Sequence, residues 1–318
     1  MTGGKIAMNA DVSFLARPGE VCDWRMVLAY GVATEHGLLG ALPGAPGELA
    51  ARLSLDEHAV RVVFEQLAAW DIVQADEAGH YDFGPAAPSP DQAAMLRQHA
   101  WDIRQWSTQL DDRVQGINRP TGRHTVPTQL DVLFDFLAAT ARHRAPAIVD
   151  ACLARFPEAK RVLDLGGAHG EYAREFVRRG LHATVQDLPD VIELHAARLA
   201  QAGIDCFAGD FFEGLAEGPF DLVFCAGVAP TYDAERNQAL YGQIRPVLAP
   251  DGGLAIITFL HARNPVAPIF AMQMLVVSDG GDTHREADYR QWLVEAGYRS
   301  VDVVDFENRP QSLLLAEH

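Results

Sequence analysis

The sequence feature that most constrains the fold is an apolar strand pattern that runs directly into a glycine-rich turn. Arg161–Leu165 has the composition of a buried strand, and it is followed by Gly166-Gly167-Ala168-His169-Gly170. Glycine lets the backbone adopt positive φ angles and approach a ligand closely. The glycine spacing differs from the GxGxxG of dinucleotide-binding proteins, and no Lys-Ser or Lys-Thr pair completes a phosphate-binding loop. The pattern therefore predicts a strand–turn–helix unit in which the backbone can contact a ligand.

Residues 158–318 alternate strand patterns with helical patterns. Further apolar runs of the buried-strand type lie at Ala183–Gln186, Leu222–Cys225 and Leu254–Thr258. Strands that alternate with helices favour a doubly wound, mostly parallel sheet of the Rossmann-like α/β class. In such sheets, ligands bind at the carboxyl ends of the strands.

Residues 1–85 have a different texture, mainly helical. Apolar residues recur at helical spacing in three segments, and two short strand patterns follow: Trp24–Gly37, Pro46–Leu53, Glu57–Trp70, Ile72–Ala75 and His80–Phe83. Asp56 stands where an N-cap of the third helix is expected. Three helices and a hairpin predict an N-terminal winged-helix domain. After the proline-rich run Pro85–Pro90, residues 86–157 are predicted to form a helical linker region.

Acidic residues follow the predicted strands at a spacing that suits a nucleoside. Asp187 comes about 20 residues after the glycine-rich turn, where a carboxylate can accept both ribose hydroxyls. Asp210 can accept from an adenine amino group, while Phe211 can pack on the base. Each acid alone could equally be a helix cap or a solvated loop residue. Together, in this order, they favour an adenosyl ligand.

Charge and composition disfavour several classes of partner. The chain has 26 Lys and Arg against 43 Asp and Glu, for a net charge of −17. This balance disfavours nucleic acid and anionic membranes, and the predicted recognition helix Glu57–Trp70 exposes only Arg61 as a firm cation. No apolar stretch approaches the ~20 residues of a membrane helix, and no signal-peptide pattern is present, so a cytoplasmic location is expected. The four cysteines lack the CxxC spacing of zinc or redox sites.

Most of the chain resembles one enzyme family. The run VLDLGGAHGEYA…QDLPDVI…GDFF…FDLVF…YGQIRPVLAPDGGLAII…GGDTHREADYRQWLVEAGY resembles the S-adenosylmethionine (SAM)-dependent O-methyltransferases of the plant caffeate and bacterial polyketide type. The segment GELAARLSLDEHAVRVVFEQLAAWDIVQADEAGHYDF resembles the winged helix through which that family dimerises. The resemblance implies a methyltransferase of secondary metabolism that acts on a small aromatic or keto-acid-like acceptor. It also implies a homodimer whose N-terminal helices help to close the partner's active site.

The resemblance assigns cofactor-binding residues as well. Asp164, Gly166 and Gly170 would line the methionine side of SAM. Asp187, with Leu188 after it, would hold the ribose. Asp210 and Phe211 would hold the adenine.

One departure from the family concerns catalysis. Members usually carry a catalytic His after the fourth strand of the sheet, and that position here is Pro230. The acidic residue that often supports this His corresponds to Thr258. The usual machinery for deprotonating a phenol is therefore missing, and methylation at O, N or C all stay open. So does a reaction that uses SAM without methyl transfer, such as cyclisation, decarboxylation or hydroxylation.

Nearby groups could replace the missing base. Asp233, His261 and His284 fall in segments that border the substrate cavity in the family. They could bind a divalent or ferric metal, one His could act alone as a general base, or none could have an acid–base role. His143 and Arg144, in a basic cluster on a predicted helix, could grip an acceptor carboxylate or lie on a solvated face.

Overall fold

The computed structural model describes residues 24–117, 130–263, 266–307 and 309–318. The chain divides into two compact units, Met1–Arg104 and Gln105–His318. Residues 1–23 lie outside the described residues, and they include Cys22 and the segment considered as a signal peptide. Residues 118–129 of the predicted linker region also lie outside them. The predicted domain boundaries at 85 and 157 stay a prediction.

The first unit contains three helices followed by a hairpin. Its elements are α1 (Trp24–Glu35), α2 (Pro46–Leu53), α3 (Glu57–Ala68), β1 (Val73–Ala75) and β2 (Tyr81–Phe83). Asp56 caps α3 as predicted, since its side chain accepts a hydrogen bond from the Ala59 N–H at 2.8 Å. The hairpin is antiparallel and turns at Gly79, which has φ +82°. The order of elements agrees with the predicted one, with α1 and α3 each two residues shorter than expected.

Two long helices occupy most of the described part of the predicted linker region. They are α4 (Pro90–Val114) and α5 (Leu130–Arg155), and α5 contains Pro146. The boundary between the two compact units falls inside α4. The prediction of a helical segment here is confirmed for the residues that these helices include.

The second unit is a seven-stranded sheet in the order β5-β4-β3-β6-β7-β9-β8. The strands are β3 (Arg161–Leu165), β4 (His182–Asp187), β5 (Asp205–Ala208), β6 (Phe220–Ala226), β7 (Leu248–Thr258), β8 (Ser300–Asp305) and β9 (Ser312–Glu317). The first five pair in parallel, and β9 runs antiparallel to both β7 and β8. The predicted mostly parallel α/β sheet is confirmed, and the C-terminal pair β8–β9 is an addition to it.

Helices cover both faces of this sheet. One face packs against α5, α6 (Glu171–Arg178) and α7 (Pro189–Gln201), and the other packs against α8 (Ala234–Ile244) and α10 (Glu286–Glu295). A further helix, α9 (Ala267–Val277), precedes α10 in the chain. Because side chains alternate along a strand, Leu163 packs in the cluster that contains Tyr241 and Tyr289, whereas Val162 packs in the cluster with Phe176. Burial on both faces explains why these strands are almost continuously apolar. Because both faces of the sheet are buried, polar side chains lie mainly at the ends of the strands.

The helices and the cysteine thiols were also compared with what a membrane span or a reactive thiol requires. Among the described residues, no helix combines the length and the apolar character that crossing a bilayer requires. Cys152 and Cys225 are buried free thiols, and Cys206 is an exposed one. Burial raises the pKa of the Cys152 and Cys225 thiols, so both behave as small apolar side chains.

Candidate functional site

The predicted ligand-binding acids lie along one edge of the sheet. Asp164 is the penultimate residue of β3, Asp187 is the last residue of β4, and Asp210 follows β5 by two positions. These strands are parallel neighbours, and their register pairs Leu165 with Gln186 and Asp187 with Ala208. The carboxyl ends of parallel neighbours meet at the same edge, so the fold brings the three predicted acids to one side of the molecule.

The glycine-rich turn after β3 depends on its glycines. Gly166 and Gly170 have φ angles of +69° and +71°, in the left-handed region that favours glycine. A Cβ atom at Gly166 would lie 2.7 Å from the Val228 side chain, and one at Gly170 would clash with Leu199. Substitution at either position would therefore force the turn away from its neighbours.

Asp164 is a buried acid beneath this turn. Its side chain is 1% exposed, and neither carboxylate oxygen completes a hydrogen bond within the described residues, because the nearby Ala173 amide does not reach hydrogen-bonding geometry. Burial raises its pKa to about 7, the amide of Ala173 acts in the opposite direction, and the charge of Asp187 adds to the rise. An ionised carboxylate in such a place is costly unless a cation or donor faces it. Asp164 thus has unused capacity to bind a positively charged group.

Asp187 connects the glycine-rich turn to the start of α7. Its Oδ2 accepts from the Ala168 N–H at 3.0 Å, and its Oδ1 accepts from the Leu188 N–H at 2.8 Å. Burial raises its pKa to about 6, although these two amides lower it. Each carboxylate oxygen retains a further acceptor position. Leu188 itself packs against the small apolar cluster of Phe134, Ala168 and Val191.

The segment after β5 carries Asp210 and Phe211. The Oδ1 atom of Asp210 accepts from the Phe212 N–H at 2.9 Å. Phe211 is 8% exposed, and its ring centroid lies 5.0 Å from that of Phe212 and 6.0 Å from that of Tyr232. Phe211 is therefore a member of the aromatic core, and its contact with an adenine stays a prediction.

Gln186 holds this segment in place, and it was missed by the sequence analysis. It is fully buried, its Nε2 donates to the Gly214 carbonyl at 2.7 Å, and its Oε1 accepts from the Ala216 N–H at 2.9 Å. The only signal in the sequence is an amide in an otherwise apolar buried strand. Because buried amides must be hydrogen-bonded, that signal indicates a positioning role without naming its partners.

The loop after β6 contains Pro230, which the sequence resemblance predicts to stand where the family usually has a catalytic His. Its backbone is fixed by the fully buried Asn237, whose Nδ2 donates to the carbonyls of Ala229 at 2.9 Å and Tyr232 at 3.0 Å. Asp233 caps α8, since its Oδ1 accepts from the Arg236 N–H at 2.9 Å. Asp233 therefore already has a structural role.

His261 and His284 are joined through their backbones and differ in their side chains. The His261 N–H donates to the His284 carbonyl at 2.8 Å. The His284 Nε2 lies 3.2 Å from the Tyr232 carbonyl oxygen, so Nε2 carries the proton. The His261 Nδ1 lies 3.2 Å from the Thr283 Oγ1, whose hydroxyl donates to the Ala267 carbonyl. Thr283 therefore engages the Nδ1 side of the His261 ring, and the proton of this contact can lie on either atom.

A metal site is not assembled from these residues. Within the described chain, no group of three or more His, Cys, Asp or Glu side chains is placed to hold a metal ion. Asp233 caps a helix, and His284 donates to a carbonyl. The facial-triad alternative for Asp233, His261 and His284 therefore has no support in their geometry.

The three basic residues at 142–144, on α5, lie in three different environments. Arg142 pairs with the buried Glu171 at 3.0 Å, and the His143 side chain is exposed. Arg144 is half-buried, and it donates to the Gln311 Oε1 at 2.5 Å. Of the two predicted acceptor-binding residues, Arg144 alone is directed into the protein.

Thr258 also differs from the acidic residue expected in the family. It is fully buried at the end of β7, and its Oγ1 lies 3.0 Å from the Tyr289 hydroxyl. It contributes a neutral hydrogen bond to the core. No charge from this position is available to support a base.

Comparisons with known proteins were made against this fold and site. A profile of the O-methyltransferase domain matches residues 136–299, about half of the 318 residues. The 3-hydroxy-5-methyl-1-naphthoate 3-O-methyltransferase of Streptomyces sahachiroi is 34% identical over 185 residues, which are 55% of this chain and 51% of that protein. The chain thus spans about half the length of the first curated relatives that it matches.

Two further proteins are similar over most of the chain. The tetracenomycin polyketide synthesis 8-O-methyl transferase of Streptomyces glaucescens is 24% identical over 319 residues, covering 89% of this chain and 92% of that protein. Human N-acetylserotonin methyltransferase, solved in complex with SAM, has a TM-score of 0.74 and 21% identity, and covers 98% of this chain and 99% of its own. At this identity, the structural likeness shows the fold alone.

The chain belongs to the O-methyltransferase domain family, a family of methyltransferases that use SAM. The residues present fit this cofactor on physical grounds. Asp164 is a buried carboxylate without a hydrogen bond, which suits a cationic group. The glycine-rich turn lies directly above it, since a Cβ atom at Gly167 would lie 2.6 Å from the Asp164 carboxylate.

The protonation of Asp164 yields a prediction about stability. Its folded-state pKa is raised from 3.8 to about 7, so the folded protein retains a proton that the unfolded chain releases. The bound proton of Asp164 contributes fully to the free energy of unfolding at low pH, below the pKa of the unfolded chain. That contribution is lost as the pH rises through the folded-state pKa of about 7. Asp164→Asn should therefore raise the free energy of unfolding at pH 8 by about 1 kcal/mol or more, with a smaller gain at pH 5.5. Denaturant titrations of the cofactor-free protein at both pH values measure the difference.

Glu217→Gln, an exposed acid in the loop between β5 and β6, is the matched control and should change neither value. An Asp164→Asn protein that is less stable than the parent at pH 8 would show that the ionised carboxylate has a favourable partner.

Proposed function

We propose, with this family membership as the premise, that the protein transfers the methyl group of SAM to a hydroxyl of a small aromatic acceptor in secondary metabolism. One observation carries the proposal: Asp164, Asp187 and Asp210 follow one another at the carboxyl ends of three neighbouring strands, beside a glycine-rich turn. That arrangement suits a ligand whose positively charged group, ribose and base follow one another along the edge of the sheet.

The cofactor would be held by the residues predicted from the sequence. Asp164 would face the positively charged end, Asp187 would accept the ribose hydroxyls, and Asp210 would accept from the adenine amino group. Gln186 would act as a positioning residue, because it fixes the loop that carries Asp210. When bound, SAM supplies an electrophilic methyl group on a sulfonium. The protein mainly has to orient the two reactants.

His261 is the proton acceptor in this proposal. Its Nδ1 contacts the Thr283 hydroxyl, and in the tautomer that has the proton on Nδ1, its Nε2 would take the proton of the acceptor hydroxyl. Because Pro230 replaces the family's His, the base would come from the segment after β7 instead of the loop after β6. His284 would act through the backbone, holding the Tyr232 carbonyl and hence the loop around Pro230.

The names of the relatives support an aromatic acceptor. One is named for a hydroxylated naphthoate and another for tetracenomycin, a polyketide. A keto-acid acceptor activated by a metal has less support, since no metal-binding group of side chains is present in the described chain. We therefore place this protein among enzymes that methylate a phenolic oxygen.

A second candidate is a reaction that uses bound SAM without transferring its methyl group. The replacement of the family's catalytic His by Pro230 is the observation that favours it. The two candidates differ in their products, because only methyl transfer forms S-adenosylhomocysteine (SAH) in proportion to turnover. Quantifying SAH during turnover separates them.

A homodimer formed through the N-terminal unit completes the proposal. Large apolar side chains are exposed on this unit, among them Trp24 at 60% and Phe83 at 48%. Such residues favour contact with another protein surface. Dimerisation through the winged-helix region is what the resemblance to the family implies.

Cofactor binding should depend on Asp187. Asp187→Ala removes both acceptor oxygens and the link between Ala168 and Leu188, so we expect SAM affinity to fall at least about tenfold. Isothermal titration with SAM and with SAH measures it. Asp190→Ala, three residues along the chain and exposed, should bind normally. Normal affinity in Asp187→Ala would remove this residue from the ribose site.

The two histidines should separate in a kinetic test. His261→Ala should lower kcat about 100-fold and leave SAM affinity unchanged, because it removes a general base. His284→Ala should lower kcat less, again without changing SAM affinity, and His284→Gln should restore part of the loss, since an amide can donate to the Tyr232 carbonyl. Full activity in His261→Ala would exclude it as the base. No rescue by His284→Gln would contradict the positioning role.

The oligomeric state can be tested on the same protein. We expect light scattering to give twice the mass of one chain. Phe83→Glu should raise the dimer dissociation constant at least about tenfold, because it places a charge in an apolar contact. Val294→Glu is the matched control, since Val294 is 63% exposed in the other unit. A monomer at all concentrations would contradict the proposed dimer.

A further inference from the structure

The turn that contains His261 also contains an alanine in a backbone conformation that favours glycine. Ala262 has φ +65°, in the left-handed region. The turn is closed by the Arg263 N–H, which donates to the Leu260 carbonyl at 3.2 Å. In four-residue turns of this kind, a positive φ at the third position is normally supplied by glycine. A residue with a Cβ atom is strained there, so contacts with neighbouring elements must hold the backbone in place.

The Arg263 side chain joins this turn to two other elements. Its Nε donates to both carboxylate oxygens of Asp305 at 3.1 Å, and its Nη2 donates to the Asp305 Oδ2 at 2.6 Å. Its Nη1 donates to the Glu286 Oε2. Asp305 ends β8 and Glu286 begins α10, so one guanidinium links the segment after β7 to the sheet and to a helix. The two-point contact with Asp305 fixes the direction of the arginine as well as its distance.

Both carboxylates that contact Arg263 are themselves held by other residues. The Asp305 Oδ1 accepts from the Ser312 Oγ at 2.6 Å, and the Glu286 Oε1 accepts from the Arg290 Nε at 2.8 Å. Hydrogen bonds from Arg263 and from Ser312 hold the pKa of the Asp305 carboxyl below its usual value. An isolated ion pair at the surface contributes little, whereas a bidentate pair inside a network is more constrained. Arg263 therefore binds carboxylates that are already fixed in place.

Contacts on both sides of Ala262 lead to the same stretch of chain. The His261 N–H, before Ala262, donates to the His284 carbonyl at 2.8 Å. Arg263, after Ala262, binds Glu286, which lies two residues beyond His284. The strained residue is thus held between a backbone hydrogen bond and an ion pair. The direction in which the His261 ring points depends on the backbone of this turn.

We propose that Arg263 is a positioning residue for His261. Its ion pairs with Asp305 and Glu286 hold Ala262 in the left-handed conformation and thereby fix the direction of the His261 ring. The inference rests on the proposed function, in which His261 is the base. Arg263 acts through the backbone of the turn, so its loss should lower the rate of turnover and leave the binding of SAM and acceptor intact. A shift of about 1 Å in a reacting group can lower a rate about 100-fold.

Steady-state kinetics of Arg263→Gln test this role. The rates would be measured on the full-length protein with SAM and the fastest acceptor from a panel of small phenols. Arg263→Gln should lower kcat about tenfold and leave both KM values within about threefold, because the base loses its orientation and the binding groups are kept. Arg263→Lys should recover little of the loss, since lysine keeps the charge but cannot form the two-point contact.

Changes at Ala262 separate positioning from general stability. Glycine adopts positive φ without strain, so Ala262→Gly combined with Arg263→Gln should restore kcat to within about threefold of the parent value. A β-branched side chain disfavours this conformation, so Ala262→Val should lower kcat even when Arg263 is present. Ala262→Val keeps the test decisive if Arg263→Gln does not fold.

Arg155→Gln is the matched control. Arg155 also bridges two carboxylates of the β8–β9 pair, Asp302 at 3.1 Å and Glu317 at 2.5 Å, but toward the other end of these strands. Its loss removes an equivalent set of ion pairs and should leave kcat unchanged. Thermal melting of both variants would compare their stabilities.

The NMR signal of the His261 ring gives a readout that does not require turnover. In protein with isotope-labelled histidine, the signal is identified by its absence in His261→Gln. We expect it to shift in Arg263→Gln and to return toward the parent position when Ala262→Gly is added. It should stay in place in Arg155→Gln.

Each result decides the assignment. A kcat equal to that of the parent in Arg263→Gln would overturn it, as would an equal loss in Arg155→Gln. A loss of kcat that Ala262→Gly does not repair would show that Arg263 does not act by holding the turn, which also overturns it. A parent protein that forms no SAH with any acceptor would refute the proposed function, while the His261 signal would still decide whether Arg263 positions the ring.

Discussion

The carboxylate of Asp187 is the interaction on which the geometry of the ligand-binding edge depends. It accepts from the Ala168 amide in the glycine-rich turn and from the Leu188 amide before α7. Two loops that follow neighbouring strands are thereby held at a fixed distance from each other. The same group is the one predicted to accept the ribose hydroxyls. Under the proposed function, the fold and the cofactor would depend on one side chain, which would account for an acid at a partly buried position where its pKa is raised.

Buried polar side chains fix the other loops at this edge in a similar way. Gln186 holds the segment after β5, and Asn237 holds the loop after β6. Each makes several hydrogen bonds to backbone groups that would otherwise be unsatisfied. These hydrogen bonds from buried side chains fix the backbone near Asp210 and around Pro230. Such preorganisation suits a reaction that mainly requires the orientation of two reactants.

The departure at Pro230 changes which element supplies the base in the proposed mechanism. In this protein, the loop after β6 is stabilised by His284, whose ring nitrogen donates to the Tyr232 carbonyl. His261 comes from the segment after β7, and its Nδ1 contacts the Thr283 hydroxyl at 3.2 Å. Two histidines that look equivalent in the sequence therefore have different hydrogen-bond partners, and the proposal gives them different roles. The distinction rests on what each ring nitrogen contacts.

Local sequence patterns predicted most helices and strands. The hydrogen-bond partners of individual side chains and the pairing of the C-terminal strands depend on long-range contacts, which these patterns do not contain. The buried strands and the Asp56 cap follow from apolar runs and capping chemistry, which act within a few residues. The pair β8–β9, the role of Gln186 and the contact of Arg263 with Asp305 depend on residues far apart in the chain. The sequence also led us to group Asp233, His261 and His284 as a possible metal site, whereas hydrogen bonds to the backbone separate their roles. Spacing along a chain does not encode such partners.

The most direct test of the central claim is to follow SAH and product together by mass spectrometry. The protein would be incubated with SAM and a panel of small hydroxylated aromatic compounds, each paired with the same compound lacking the hydroxyl as a control. The account predicts one SAH for each acceptor molecule that gains a methyl group, and no reaction of the control. Chemical change of the acceptor without SAH, or methylation that does not require the hydroxyl, would contradict it.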